Sequence, residues 1–273
     1  MNNNVIDIKE LQSKILEIVC FLDEFCKRHN IVYYLMGGSA LGAVRHKGFI
    51  PWDDDLDVFM TFDNYQKFLE IARNELNTDR YYLQEEATPE WPIYFTKLRM
   101  NNTTYIEQNV ATKMHQGIFI DIMCLNRASE YGFCRILQYG FAKCLIAKSL
   151  YMKGYCPKSF KKRLLMSIAY YSIHNRLETK MLKYIRYWNN KNTRLVGHFF
   201  GKAKYRQTSF PEFFLGKQRY VKFENVYLPV PQLVEEYLTM RYGNYMKLPS
   251  KSEQKTAIHA IYVDLNTDYT KYV

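Results

Sequence analysis

The run Asp53-Asp54-Asp55-Leu56-Asp57-Val58-Phe59-Met60 places four carboxylates within five residues and then turns apolar. Side chains on a strand alternate between faces, so an extended segment over residues 55–60 sets Asp55 and Asp57 on one face and sends Leu56 and Val58 into a core. Like charges held this close push each other's proton affinity up. A divalent cation removes the conflict, and carboxylates are the hard oxygen ligands that Mg2+ or Mn2+ accepts, usually together with phosphate oxygens. Upstream, Gly37-Gly38-Ser39 supplies the other half of such a site. Glycine lets the backbone approach a ligand closely, and a helix opening near Ser39 offers unsatisfied N–H groups to an anion. The residues therefore indicate a metal and phosphate site with Asp55 and Asp57 as ligands and Gly38 and Ser39 on phosphate oxygens. The competing reading is a solvated acidic turn after Pro51.

A third acid stands in His115-Gln-Gly-Ile-Phe-Ile-Asp-Ile-Met-Cys124. Alternation puts Phe119, Asp121 and Met123 on one face and Ile118, Ile120 and Ile122 on the other. A buried acid without a partner costs several kcal/mol or keeps its proton. A metal shared with Asp55 and Asp57 is the economical partner for Asp121, against the alternative of a capping acid at a strand end. Arg45, Lys97 and Arg99 are candidates for further phosphate contacts, since guanidinium groups match phosphate in fork geometry. Each could equally be an ordinary surface charge.

Taken together, Gly37-Gly38-Ser39, Leu41-Gly42, Arg45-His46, Gly48-Phe49-Ile50-Pro51-Trp52 and Asp53-Asp54-Asp55-Leu56-Asp57 resemble the signature of the LicD family of the nucleotidyltransferase-like superfamily, which includes the fukutin-type enzymes. The Gly117-Ile-Phe-Ile-Asp121 run resembles it too, as does Tyr242-Gly-Asn-Tyr-Met-Lys-Leu-Pro249, where Asn244 replaces the more usual Asp. The resemblance covers about residues 30–124 and 219–260. It implies an enzyme that moves phosphocholine or a polyol phosphate from a CDP-linked alcohol donor to a glycan acceptor, with release of CMP. It also implies an acceptor that can be lipid-linked. The family reading and the residues agree on Asp55, Asp57 and Asp121 as metal ligands.

Two enzymatic rivals keep the acidic site. A classical nucleotidyltransferase would release pyrophosphate, and a GT-A glycosyltransferase would carry a longer nucleotide-binding half than the step of 14 positions from Ser39 to Asp53 allows. A non-catalytic module on the same fold would be expected to lose carboxylates, and all three are present. Choline recognition would require an aromatic box, for which Trp52, Trp91 and Tyr94 are candidates.

At 273 residues with 48% apolar content, the chain can bury a full core. The expected fold is α/β (α+β), a nucleotidyltransferase-like mixed sheet with flanking helices. Residues 1–128 read as a catalytic core, 129–206 as a basic helical insertion and 207–273 as a part that completes the catalytic domain. The net charge of +11 is uneven: residues 143–206 hold 16 Lys and Arg against the single acid Glu178. Interleaved Tyr, Phe and Trp suit a peripheral, anionic membrane surface. Nucleic acid is the other partner for such a patch, but no helix-turn-helix, RRM or KH signature accompanies it. The first residues lack a basic segment followed by an apolar run, and no stretch has the roughly 20 apolar residues of a membrane span, so a cytoplasmic chain is expected. Six unpaired cysteines fit buried thiols in a reducing compartment.

Periodicity predicts helices over 8–29, 39–46, 65–74 with Asp63 as N-cap, 131–152, 158–174, 175–188 and from 230 to about 242. It predicts strands over 31–36, 55–60, 81–84, 93–100, 103–107 and 115–124, with the fourth and fifth joined as a hairpin through Asn101-Asn102, and a further hairpin over 219–228.

Overall fold

The computed structural model describes residues 7–107, 114–254 and 258–272. Leu11, Ile15, Ile18, Leu22 and Phe25 recur at helical spacing and are all buried along α1 (Ile8–Arg28), whose N-terminus is capped by the Asp7 carboxylate accepting from the Lys9 and Glu10 amides. There follow β1 (Tyr34–Leu35), α2 (Gly37–Arg45), β2 (Asp57–Thr61), α3 (Phe62–Glu75), β3 (Tyr81–Gln84), β4 (Thr96–Met100), β5 (Thr104–Glu107) and β6 (Phe119–Ala128). A helical stretch comes next: α4 (Gly132–Met152), α5 (Phe160–Ser172) and α6 (Asn175–Tyr187). The chain ends with β7 (Leu195–Gly197), α7 (Tyr205–Thr208), β8 (Ser209–Pro211), β9 (Arg219–Phe223), β10 (Val226–Val230), α8 (Val234–Tyr242), α9 (Lys251–Gln254) and β11 (Ala260–Asp264).

The main sheet runs β1-β2-β6-β4-β3, and β6 goes on to pair with β7, which pairs with β8. Only β2 and β6 are parallel; the other pairings are antiparallel, giving the mixed sheet that was expected. With Ile120 and Ile122 on one face and Phe119 and Asp121 on the other all buried, β6 is the central strand. Helix α1 packs against β6 and β4, while α3 covers β2 and β6. One apolar core lies under this sheet and extends to α8 and the β9–β10 hairpin. A second core holds Ala142 and Leu145 of α4, Ala169 of α5, and Met181 and Ile185 of α6, together with Tyr94, Ala128, Phe199 and Phe200. Residues 129–206 are thus mostly helical, yet they lend β7 to the main sheet.

Several local expectations need correction. Strand β5 does not form a hairpin with β4: Asn101 and Asn102 do turn, with Asn102 in the left-handed region at φ 56°, but β5 then leaves the sheet and pairs with β11 from the far end of the chain. Asp63 is not the cap of α3. That role falls to the backbone of Thr61, without a side-chain bond, and Asp63 sits in the first turn where an acid suits the helix dipole. The early strand shrinks to Tyr34–Leu35, and the first acidic strand begins at Asp57, so Asp55 lies in the extended approach to it. All six cysteines are free, but Cys144 and Cys156 are exposed and not buried.

Candidate active site

Strands β2 and β6 run side by side with Asp57 opposite Asp121, and the Asp121 amide donates to the Leu56 carbonyl at 2.9 Å. On the other side of β6, Lys97 of β4 stands opposite Asp121. Its ammonium lies 2.8 Å from Asp121 Oδ1 and 3.1 Å from the centre of the Phe119 ring. The contact is an ion pair without hydrogen-bond alignment, because Asp121 Oδ1 has no hydrogen-bond partner. Sheet register alone therefore brings Asp57, Asp121 and Lys97 into one row.

The second wall is the N-terminus of α2. Gly37 has φ +60°, and a Cβ there would stand 3.3 Å from Asp57 Oδ2; a Cβ on Gly38 would stand 3.4 Å from Asp53 Oδ2. Gly37 is thus favoured by its left-handed backbone and by the closeness of Asp57, while a side chain at Gly38 would meet Asp53 at ordinary contact distance. Ser39 Oγ accepts the Asp57 amide at 2.7 Å, which leaves the hydroxyl proton available to a ligand, and the Gly37 amide donates to the Tyr237 hydroxyl at 3.1 Å. No side chain caps α2, so its first turn keeps amides that an anion can use.

Electrostatically the site is poised against itself. Desolvation, then the charges of Asp55, Asp121 and Asp53, push the Asp57 carboxyl well above the usual range. Desolvation followed by Asp121 lifts Asp55 to about 6, and desolvation followed by Asp55 lifts Asp53 to about 7. Burial pulls Lys97 below the ordinary lysine value despite Asp121 and Glu107 beside it. Burial would raise Glu107, but Lys97, Lys153 and Arg99 outweigh it and hold Glu107 down to about 2.

Asp54 behaves in the opposite way and was not singled out in the sequence. Fully buried, its carboxylate accepts from the Tyr105 hydroxyl at 2.8 Å, from the His259 and Ala260 amides at 2.7 and 2.9 Å, and meets His259 Nδ1 at 3.1 Å. Burial alone would raise it; these bonds bring it below the usual carboxylate value. Asp54 is a clasp that holds the start of β11 against the acidic run.

Of the proposed phosphate contacts, Gly38, Ser39 and Lys97 line the site. Arg45 instead donates to the Tyr245 and Lys247 carbonyls at 2.8 and 3.4 Å, tying α2 to the Tyr242–Pro249 stretch. Arg99 is buried and donates to Gln84 Oε1 at 2.8 Å and the Gly117 carbonyl at 2.7 Å, bracing β4 from within. Trp91 donates to the Phe95 carbonyl and Tyr94 to Glu178, so both are packing residues, whereas Trp52 stands edge-on to His46. Helix α8 adds two groups that sequence reasoning missed: Tyr237, which holds Gly37, and Tyr242, whose hydroxyl lies 3.8 Å from where a Gly37 Cβ would be. The familiar Tyr242-Gly-Asn-Tyr stretch carried a signal for Tyr242, but 24 tyrosines in the chain concealed it.

A metal is tested by this geometry. Among the described residues no three His, Cys, Asp or Glu side chains already stand at metal-holding spacing. The donor set nonetheless suits a hard divalent cation: Asp55, Asp57 and Asp121 repel one another, Lys97 and, at Asp55, His259 offset them only in part, and Asp121 Oδ1 lacks a hydrogen bond.

Residues 30–133 match the family described as LicD/FKTN/FKRP, nucleotidyltransferase domain. Over 257 residues, 91% of this chain and 94% of the relative, the sequence is 27% identical to a lipopolysaccharide cholinephosphotransferase LicD of Haemophilus influenzae. Two shorter matches are to uncharacterized proteins of Rickettsia: 44% identity over 48 residues in Rickettsia typhi (18% of this chain, 16% of the relative) and 54% over 35 residues in Rickettsia prowazekii (13% of each).

Proposed function

We propose, from the match of residues 30–133 to the LicD family and the similarity to a cholinephosphotransferase, that this chain transfers phosphocholine or a related alcohol phosphate from a CDP-linked donor to a hydroxyl of a cell-surface glycan. At the coarser level it is a transferase of phosphate-containing groups. The observation that carries the reading is the register of Asp57 opposite Asp121, which gathers the acids at the glycine-led start of α2, in a chain collinear with a cholinephosphotransferase over 91% of its length.

Asp55, Asp57 and Asp121 would hold Mg2+ or Mn2+, which when bound supplies charge neutralisation at the phosphates and a more acidic acceptor hydroxyl. The rest follows from the chain's own groups. The Ser39 hydroxyl and the first-turn amides of α2 would orient the donor phosphates. Lys97 offsets charge behind Asp121, and Tyr237 fixes the Gly37 peptide. Asp54 and Arg45 keep the C-terminal segments closed over this wall. An acceptor carried on a lipid would lie at an anionic membrane face, to which the basic helical part is suited. No described helix is long and apolar enough to cross a membrane.

Incubation with CDP-choline, CDP-ribitol, CDP-glycerol or CTP in Mg2+, with and without a glycan acceptor, tests the proposal. Acceptor-dependent CMP release from a CDP-alcohol is expected; pyrophosphate release from CTP would move the chain to the nucleotidyltransferase class.

A further inference from the structure

Helix α5 buries little of itself. Met166 and Ala169 are its buried residues, while Phe160, Leu164, Ile168 and Tyr171 form a stripe at spacings of four, four and three and are 69%, 49%, 51% and 74% exposed, with Leu165 beside them at 63%. Single exposed apolar residues are ordinary, but a continuous helical stripe of them marks a surface made to meet something. Lys158, Lys161, Lys162 and Arg163 flank its beginning. At its end Tyr170 stacks on Tyr151 at 4.6 Å and packs against Tyr171, and amphipathic rings of this kind favour the headgroup level of a bilayer.

The charge pattern selects the occupant. Residues 131–177 contain nine Lys and Arg and no acid. A second copy meeting this face would oppose its own cations, and a nucleic acid would leave the apolar stripe in water. An anionic lipid surface satisfies both features.

We infer that α5 lies in the plane of an anionic bilayer, with Phe160, Leu164 and Ile168 among the acyl chains and the flanking lysines on headgroup phosphates. Lys153, at the end of α4, pairs with Glu107 at 3.3 Å beside the site, and the seven residues from there to Phe160 span at most about 25 Å. The start of the helix is therefore tethered within about 25 Å of the Lys153–Glu107 pair. This inference deepens the membrane part of the proposed function and does not depend on the chemistry.

Co-sedimentation of the full chain with phosphatidylglycerol–phosphatidylcholine vesicles, against pure phosphatidylcholine, provides the test. Binding only to the mixed vesicles is expected. The combined variant Phe160→Ser, Leu164→Ser, Ile168→Ser, which keeps every charge, should lose at least about 100-fold in vesicle affinity, since burying each such side chain is worth about tenfold. Its melting temperature and its CMP release with a soluble acceptor should stay as in the wild type. A Phe160→Trp variant should gain fluorescence quenching by brominated lipid beyond that of the wild type. Undiminished binding by the triple variant would overturn insertion and leave an electrostatic membrane contact standing. A wild type that ignores both vesicles would overturn both. A wild-type dimer that the triple variant makes monomeric would assign the face to a second copy. CMP release, measured separately, reports on the transferase reading alone.

Discussion

The carboxylate site and the α4–α6 region invert each other's charge placement. Around β2 and β6, charged groups are buried or half-buried and converge: Lys97 and Arg99 are each 2% exposed, and Asp57 faces Asp121 across the sheet. Along α5, cations point to solvent and large apolar side chains do as well. Buried charge is costly unless paired, so the first arrangement persists only where a ligand or a fixed partner repays it. Exposed apolar surface persists where a second phase covers it. The difference is what the proposed chemistry at the carboxylates and the proposed docking along α5 each require.

The largest expected effect breaks the first region's function and spares its stability. Asp57→Asn, and likewise Asp55→Asn and Asp121→Asn, should reduce turnover at least about a thousandfold, because the metal site proposed for these acids would supply several kcal/mol of charge stabilisation. The metal-free variants at 55 and 57 should melt no lower than the wild type, since one of several mutually repelling charges is gone. CMP release and thermal unfolding in EDTA check the two halves, and full activity in any variant would remove that residue from the reaction.

Asp54→Ala, one residue from Asp55, should do the reverse. It leaves the Tyr105 hydroxyl and the His259 and Ala260 amides without their acceptor, a loss of about 3–5 kcal/mol in unfolding free energy. Denaturant titration measures it. Opposite stability effects at positions 54 and 57 would confirm that a clasp and a ligand site share one acidic run.

The pH dependence of the metal-free chain sharpens the contrast next. Asp55 and Asp53 are lifted from 3.8 to about 6 and about 7, so between 3.8 and these values the folded chain binds more protons than the unfolded one. Stability contributed by these groups therefore falls as pH rises through that window and stays lost above about 7. Glu107, held from 4.5 down to about 2, contributes stability above 4.5 that is lost as pH falls toward 2. A melting temperature that rises from pH 8 to a maximum near about 5 and then falls is expected. Asp55→Asn should flatten the upper limb, and saturating Mg2+ should reverse its slope.

The smallest effect belongs to the helical region. Lys161→Gln with Lys162→Gln, both exposed, should shift unfolding free energy by less than about 0.5 kcal/mol, in contrast to buried Lys97. Chemical denaturation of both variants would expose a hidden structural role for the α5 lysines.

What the sequence by itself determined is what local periodicity and composition encode. The helices α1, α4, α5 and α6 came through with their ends nearly right, because apolar spacing and the Gly154–Pro157 break are local signals. The convergence of Asp57 and Asp121 was legible because a lone acid in an apolar strand needs a partner. Pairing between distant segments was left to the tertiary structure. The turn at Asn102 is local, but β5 joins β11, some 160 residues away, because Asp54 holds His259 and Ala260 beside it. Arg45 and Tyr237 acquire their roles in the same way: each reaches a partner about 200 residues distant in the chain, and no short-range pattern records which segment will fold back. The exposure of the α5 stripe is likewise a tertiary outcome, since an apolar face has the same sequence whether a core or a membrane covers it.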